Sequence, residues 1–336
     1  MRHAQSVRDT ILLLFCLVTA GSGYRAVADT AVPQPFYSFN QNPLIQIYGL
    51  PALGEARVLG PGASTLAAHM QLSNHFTGSS HGVETLSLDG ETRRLTLQWR
   101  QGLSGNREWG FELPYVSHNG GFLDRSIEEF HDLFGMPQNG RTDLPRKRMD
   151  FRYAHNGTNL VNLDHAASGA GDVRLSAAVS SASADGHAAV WRASLKLPTG
   201  NENELFGSGS TDLAGWLSAA TTRPPDAWNI YGGGGVLLMS EGNVMPAQQQ
   251  RVVAFGSLGI SQRFFPLITI NAQLDAHSPF YNDSGLRQLG RYAVQGLIGA
   301  DWEFAPKKSL ALSVSEDFVV GAAPDVAFNL SLTLPF

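Results

Sequence analysis

The chain has 336 residues, with 24 basic and 29 acidic side chains for a formal net charge of −5, and it is rich in glycine (36) and phenylalanine (18). That balance leaves no basic footprint for nucleic acid, and a lone cysteine, Cys16, rules out a disulfide framework or a thiolate metal site. No stretch after residue 28 is long and apolar enough for a transmembrane helix, so strands of a closed sheet are the remaining way for this chain to cross a bilayer with every backbone polar group paired.

Arg2 and Arg8 lead into the apolar run Ile11 to Ala20 and then Ala26-Val27-Ala28, so residues 1–28 have the make-up of a signal peptide with cleavage expected before Asp29. Cys16 lies inside that run behind Phe15 rather than at its end, which argues against lipid anchoring. Residues 29–63 hold no spanning strand. Their Pro33, Pro35, Asn42-Pro43-Leu44 and Tyr48-Gly49-Leu50-Pro51 suggest an ordered periplasmic or lumenal arm, with Ile45, Ile47 and Leu50 placed to plug a lumen or cover its inner mouth.

From residue 64 the pattern changes to period two in segments of about ten residues, the length of a tilted transmembrane strand. The segments are Ser64 to Thr77, Glu91 to Gly102, Arg107 to Ser117, Gly171 to Ala182, His187 to Pro198, Thr211 to Thr222, Ala227 to Met239, Gln250 to Arg263, Leu267 to Ser278, Arg291 to Phe304, Ser309 to Val319 and Asp325 to Phe336. They predict an all-β chain: an antiparallel up-and-down transmembrane β-barrel of about twelve strands over residues 64–336. Short turns (Leu103 to Asn106, Ser183 to Gly186, Arg223 to Asp226, Phe264 to Pro266, Ala305 to Lys308) alternate with long connections (Gly78 to Gly90, His118 to Ala170, Thr199 to Ser210, Ser240 to Gln249, Pro279 to Gly290). A soluble sandwich would give the same period but has no reason to sort its loops by length. Barrels of the outer membrane have short periplasmic turns and long external loops, so both termini are expected in the periplasm.

Parity then divides inside from outside. Leu95, Leu97 and Trp99 oppose Arg94, Thr96, Gln98 and Arg100, and Trp109, Phe111, Leu113 and Tyr115 oppose Glu108 and Glu112. A lipid-facing Arg or Lys at mid-membrane costs about 2–4 kcal/mol, so the charged faces must look inward. This predicts a lumenal network of Arg94, Arg100, Arg174, Arg192 and Lys196 against Glu108, Glu112, Asp275, Asp301, Glu303 and Asp317, whose opposite signs pair and fill a small barrel. Aromatics near the short-turn ends, among them Trp99, Trp109, Trp228, Tyr292, Trp302 and Phe304, fit an interfacial girdle. Gly232 to Gly235 is not a phosphate loop, since no Gly-Lys-Ser/Thr follows.

In the longest loop, 118–170, Phe122, Leu123, Ile127, Phe130, Leu133 and Phe134 recur at helical spacing with Asp124, Glu128, Glu129 and Asp132 on the other side and Gly135 and Pro137 as a stop. The expected amphipathic helix could close the mouth as a lid, lie on the outer leaflet, or pack against neighbouring loops. Met149, Phe151 and Tyr153 ahead of Asn156-Gly157 predict a small external hairpin. Glu128 and His131 form a single Glu-x-x-His pair, whereas a di-iron bundle needs two with further glutamates, so no metal or other cofactor is expected. The loop Thr199 to Glu204 has the oxygens for a divalent cation, but a solvated loop is the simpler reading.

Ser73 and His75 share a strand face and could touch, the minimum for a nucleophile and its base. That face, with His69 and Gln71, is the inward one, so a lumenal hydrogen-bond network is expected and a lipid hydrolase is the alternative. The closing strand, with Phe328, Leu330, Leu332, Leu334 and the terminal Phe336 on one face, is the segment the barrel-assembly machinery would engage.

Several motifs in order, Asn42-Pro43-Leu44, Ser73-Asn74-His75-Phe76, Asp89-Gly90-Glu91-Thr92, Glu112-Leu113-Pro114, Gly121-Phe122-Leu123-Asp124, Gly171-Asp172-Val173-Arg174-Leu175, Leu197-Pro198-Thr199-Gly200 and Ser315-Glu316-Asp317, together resemble the DUF3187 family of Gram-negative outer-membrane proteins. The resemblance covers nearly the whole chain after residue 28 and implies a membrane barrel; it brings no activity and no catalytic residue. The function expected from the sequence is a non-enzymatic outer-membrane barrel, either a narrow transport barrel for a small or hydrophobic solute or a structural surface barrel. Membrane lipid and lipopolysaccharide are its expected surroundings.

Overall fold

The computed structural model describes residues 32–135, 138, 140–181, 186–224, 226–319 and 321–336. The expected signal segment, the first residues of the arm, Pro137 and most of the turn at 183–186 lie outside the described residues.

The alternating segments become strands because each can place its polar side chains on one side and its apolar side chains on the other. In chain order they are β1 (Ser64–His81), β2 (Glu84–Leu103), β3 (Arg107–Asn119), β4 (Asp150–His155), β5 (Thr158–Leu163), β6 (Ala167–Ala170), β7 (Arg174–Ser180), β8 (His187–Lys196), β9 (Asp212–Thr221), β10 (Asn229–Met239), β11 (Val252–Phe265), β12 (Ile268–His277), β13 (Ala293–Ala305), β14 (Lys308–Asp317) and β15 (Val326–Pro335). Two helices are described, α1 (Asp124–Phe134) and α2 (Arg287–Gly290). All twelve predicted spanning strands form. They pair antiparallel with their sequence neighbours, β3 with β7 across the long loop, and β15 returns to β1 to close the barrel. Closure leaves no free sheet edge along the wall.

The register follows side-chain parity. Leu66, Met70, Leu95, Leu97, Trp109, Phe111, Tyr115, Trp191, Leu213, Leu258, Leu312 and Leu330 are exposed on the outside, while Gln71, Arg94, Glu108, Arg174, Lys196, Gln273 and Asn329 on the alternate positions are buried within. A slip of one residue would exchange these sets.

One predicted connection is corrected. The segment Gly78 to Gly90, expected as a long loop, is mostly ladder: β1 and β2 run on to His81 and Glu84 and turn through Gly82-Val83. Its alternate residues Leu86 and Leu88 are buried, which gives the extension an apolar inner face. β4 pairs with the outer end of β2 and β5 with β4; Asn156 and Gly157, at φ 50° and 75°, form the turn between them. Phe151, Tyr153, Val161 and Leu163 from β4 and β5 join Leu86 and Leu88 in one cluster with Phe280, Tyr281, Leu286 and Leu289 from the 278–292 connection. The extended sheet therefore bends over one mouth of the barrel. Glu84 fastens it there, accepting from the Gly285 N–H at 2.8 Å and from the Tyr153 hydroxyl at 2.8 Å.

The lid reading of α1 is also corrected. The helix lies on the outer side of the wall, where Glu91, Asn74 and Arg93 project outward above the apolar rows of β1 and β2, and it takes no part in the mouth. The mouth is covered instead by the β1–β2 extension together with the 278–292 connection, whose apolar side chains meet in one cluster.

Candidate functional site

The lumen is not empty. Every residue from Ser38 to Pro51 is buried, and the arm up to Leu59 runs inside the ring of strands. It has no ladder of its own beyond one turn, in which the Asn42 side chain accepts from the Leu44 N–H at 3.0 Å and the Asn42 carbonyl from Ile45 and Gln46. Asn42-Pro43-Leu44 is thus an Asx turn that reverses the arm. Its apolar residues Leu44, Ile47, Tyr48, Leu50 and Leu53 pack with Trp216, Tyr231, Leu237, Phe280 and Tyr281 of the wall and its loops.

An extended segment sealed in a barrel must find partners for its carbonyls, and the wall supplies them from side chains. Arg94 donates to the Gln46 carbonyl, Lys196 to Ile47 at 3.2 Å, Arg174 to Leu50 at 3.1 Å and Arg192 to Glu55 at 2.7 Å, while the Trp216 indole N–H and the Ser218 hydroxyl both reach Leu53 at 2.7 Å. On the side-chain level Tyr37 donates to Glu112 at 3.0 Å, Ser38 to Asp275 at 2.6 Å and Asn40 contacts His277 at 2.9 Å. Glu55 of the arm also faces Arg100, which clasps Glu108 through two bonds of 2.8 Å.

The expected charge network is therefore split. Arg100, Arg192 and Glu108 meet at one level, and Arg174 and Glu112 pair at 3.3 Å at another. All of these sit on the neighbouring strands β2, β3, β7 and β8. On the far arc Asp275 is held by Ser38 and Gln273, and Glu303 pairs with Arg263 at 3.3 Å. Neither Asp301 nor Asp317 makes an ion pair among the described residues: Asp317 accepts from the N–H groups of Val319, Ala322 and Ala323 and so caps the 318–325 connection. The arm lies between the two arcs, which is why the basic side chains bond its carbonyls rather than the far acids.

Two acids that sequence reasoning passed over, Asp172 and Asp212, form the tightest cluster. Lys196, fully buried, contacts Asp172 at 2.5 Å, Asp212 at 3.3 Å and the Ser208 hydroxyl at 2.6 Å. Asp172 also accepts from the N–H groups of Thr199 and Gly200, and Asp212 from the Gly49 N–H at 2.7 Å. Thr199 and Gly200, which open the 199–204 loop, thus wrap their backbone N–H groups around a carboxylate. The Gly171-Asp172 and Thr211-Asp212 dipeptides, each an acid at a strand start with no turn to serve, were the available signal. Among the described residues no group of three His, Cys, Asp or Glu is arranged to hold a metal.

Ser73 and His75 do touch, at 3.1 Å, beside a second pair, Thr92 and His118, at 2.9 Å. Both histidines pack edge-on against Phe151, and Ser73 and His75 are buried beneath the bent sheet. No carboxylate bonds His75 among the described residues, so the orienting third group of a hydrolytic triad is missing from the contact.

Space opens toward the short-turn end. A vestibule of about 870 Å³ opens there, with Glu55, Arg57, Arg263, Asp301 and Glu303 on its walls. A narrower pocket of about 120 Å³ continues between arm and wall past Tyr37, His69 and Arg100. Tyr37 stacks on His69 at 3.7 Å.

The profile of a family described as "Protein of unknown function (DUF3187)" matches residues 11–336. No curated protein matches the chain. Among solved structures, the COG4313 outer membrane channel from Pseudomonas putida F1 is 14% identical over 84% of this chain and 98% of that one, with a TM-score of 0.56. The KdgM porin is 8% identical over 81% of this chain and 99% of that one, with a TM-score of 0.42. At such identity the first likeness is one of fold: a barrel closed in the same way.

Proposed function

The chain belongs to the DUF3187 family, and we propose that it is an outer-membrane channel held shut by its own N-terminal arm, a narrow transport barrel for a small or hydrophobic solute. The apolar belt faces lipid. The short turns and both termini face the periplasm, and the bent β1–β2 sheet and α1 face outside.

The observation that carries this reading is the way the arm is held. It crosses the lumen without joining the sheet, held by separate wall side chains at its carbonyls, its Gly49 N–H and its polar side chains, so these bonds can be exchanged for water or solute without breaking a ladder. The vestibule at the short-turn end is the entry on the periplasmic side; polar groups of both signs and the Tyr37–His69 stack line the way inward.

Planar-bilayer recording tests it. The intact chain is expected to be closed most of the time, and a variant lacking residues 32–58 to conduct steadily. Losing one arm contact, as in Ser218→Ala, which removes the hydroxyl bond to the Leu53 carbonyl, should raise the open fraction about five- to tenfold, the effect of one net hydrogen bond. A Ser38→Cys/Asp275→Cys pair should silence the channel when oxidised and restore openings when reduced. A folded variant that stays silent without its arm would remove transport and leave the structural surface barrel. The hydrolase reading is addressed on the same samples: its barrel would have to cleave phospholipid and lose that activity in Ser73→Ala.

A further inference from the structure

We infer that α1 is a membrane anchor: it lies along the barrel's outer rim with its aromatic face in the acyl chains of the outer leaflet. This rests on the membrane-spanning reading of the barrel but not on whether the barrel conducts.

The helix is mounted the wrong way round for a soluble surface. A helix on a globular protein turns its apolar stripe to the core and its charges to water. Here the two residues of α1 that are buried are Asp124 and Glu128. On the opposite side Phe130, Leu133 and Phe134 are 46, 78 and 53% exposed, and Phe122, just before the helix, is 56% exposed. Phe130 and Phe134, one turn apart, pack ring to ring at 4.6 Å and make a continuous aromatic ridge.

The inversion is built, not incidental. Arg141, itself buried, pairs with Asp124 at 3.2 Å and Asp325 at 3.1 Å, and Arg146 pairs with Glu128 at 2.5 Å. Asp124 also accepts from the Lys147 N–H at 2.8 Å. Asp124 and Glu128 are thus clamped to the returning 140–148 segment, and the aromatic ridge is left exposed beside the solvated Arg125–Glu129 pair.

Its height on the wall identifies what it meets. In the register of β1, β2 and β3, the outward row Met70, Leu95 and Tyr115 is exposed and apolar, and the next outward positions are Leu72, Arg93 and Ser117, then Asn74, Glu91 and Asn119. The apolar belt therefore ends between Leu95 and Arg93. α1 is pinned to that edge: Glu91 accepts from the N–H groups of Phe122 at 2.7 Å and Leu123 at 2.5 Å, Arg93 lies over the Phe122 ring at 5.2 Å, and Asn74 donates to Asp124 at 3.5 Å. Four residues of strand, about 13 Å, separate Glu91 from Leu95, so a helix of about 10 Å diameter standing on Glu91 continues the belt at the level where amphipathic helices sit in the acyl–headgroup boundary. Arg125, Arg146 and Lys147 flank it with exposed basic groups, as interfacial helices have. At eleven residues it is far too short to span.

Site-specific labelling of the full chain in liposomes tests this. With Cys16→Ser as background, an environment-sensitive fluorophore is placed singly at Phe130→Cys, Phe134→Cys, Arg125→Cys and, as a belt control, Leu97→Cys, and quenched by lipids carrying a nitroxide high on the acyl chain or by aqueous iodide. The labels at 130 and 134 should follow the belt control, with lipid quenching exceeding iodide quenching by about twofold or more, and the label at 125 should show the reverse. Iodide-dominated quenching at 130 and 134 with a normal belt control overturns the anchor alone. Protection from both quenchers also overturns it, since another protein surface then covers the ridge. A belt control that is not lipid-quenched overturns the barrel reading beneath it.

Discussion

Two segments are added to the same barrel wall and obey opposite rules. The N-terminal arm lies inside, where the wall is polar, and it buries Leu44, Ile47, Tyr48 and Leu53 in clusters while wall cations bond its carbonyls. Helix α1 lies outside, on the polar rim of Asn74, Glu91 and Arg93 just above the apolar belt, and it buries Asp124 and Glu128 while showing Phe130, Leu133 and Phe134. The difference teaches that the wall, not the segment, decides which polarity is hidden. Each segment must neutralise the groups that its side of the barrel cannot solvate.

The sharpest way to break the comparison is to take away the ion that makes the inner side tolerable. Lys196→Ala strands Asp172 and Asp212 as buried carboxylates, and removing one partner of such a cluster costs about 3–5 kcal/mol. The heat-modified gel shift of the folded barrel should fall by many degrees, or the barrel should fail to assemble. Arg146→Ala, the matching change on the outside, should leave barrel melting unchanged and free α1 alone, read by protease cleavage within 124–147. If both variants melted alike, the buried charges inside the barrel and those under α1 would carry the same weight in holding the fold.

A smaller effect is expected where the arm touches the wall most closely. A Cβ on Gly49 would lie 2.8 Å from the Asp212 Cβ, an overpacking of the kind that costs about 1–3 kcal/mol. Gly49→Ala should loosen the arm without unfolding the strands, so its open fraction in bilayers should rise. Outside, Gly121 has φ +68° and a Cβ there would fall on the Glu91 carboxyl. Gly121→Ala should detach the helix N-terminus, at a cost of about 1–3 kcal/mol from strain, and shift the label at Phe130→Cys toward iodide while channel closure stays intact.

The smallest effect sharpens the comparison at the mouth, where the inner and outer regions meet. Burial works against the Glu84 carboxylate, but hydrogen bonds from Ser284, Tyr153 and the Gly285 N–H outweigh it and hold the carboxyl below its ordinary 4.5. A group with a depressed folded pKa stabilises above its unfolded value and loses that contribution as pH falls through the folded one. Acidification below about 4.5 should therefore release the β1–β2 tip, seen as faster amide exchange at 78–90, with the barrel strands unaffected and Glu84→Gln showing no such pH step.

The chain states some of this openly and conceals the rest. All twelve spanning strands and their inward and outward faces follow from period two, because a strand's parity is fixed by its own residues once one face must meet lipid. The hairpin at Asn156-Gly157 and the α1 spacing are equally local. The docking edge for α1 was also present as a break in parity, since Asp89, Glu91 and Arg93 place three charges on the outward face of β2 just above Leu95. By contrast, no local pattern distinguishes Asp275 and Asp317, which make no ion pair among the described residues, from Glu108 and Glu112, which do.

What the sequence determined by itself is the division of every strand into an oily and a polar side, because that depends on neighbours one and two residues away. Only the tertiary structure decided that the arm fills the lumen, that Lys196 gathers Asp172 and Asp212, that the first hairpin and not the helix covers the mouth, and that the helix faces outward. Those outcomes depend on which arcs oppose one another after closure, and closure joins β1 to β15, from opposite ends of the chain.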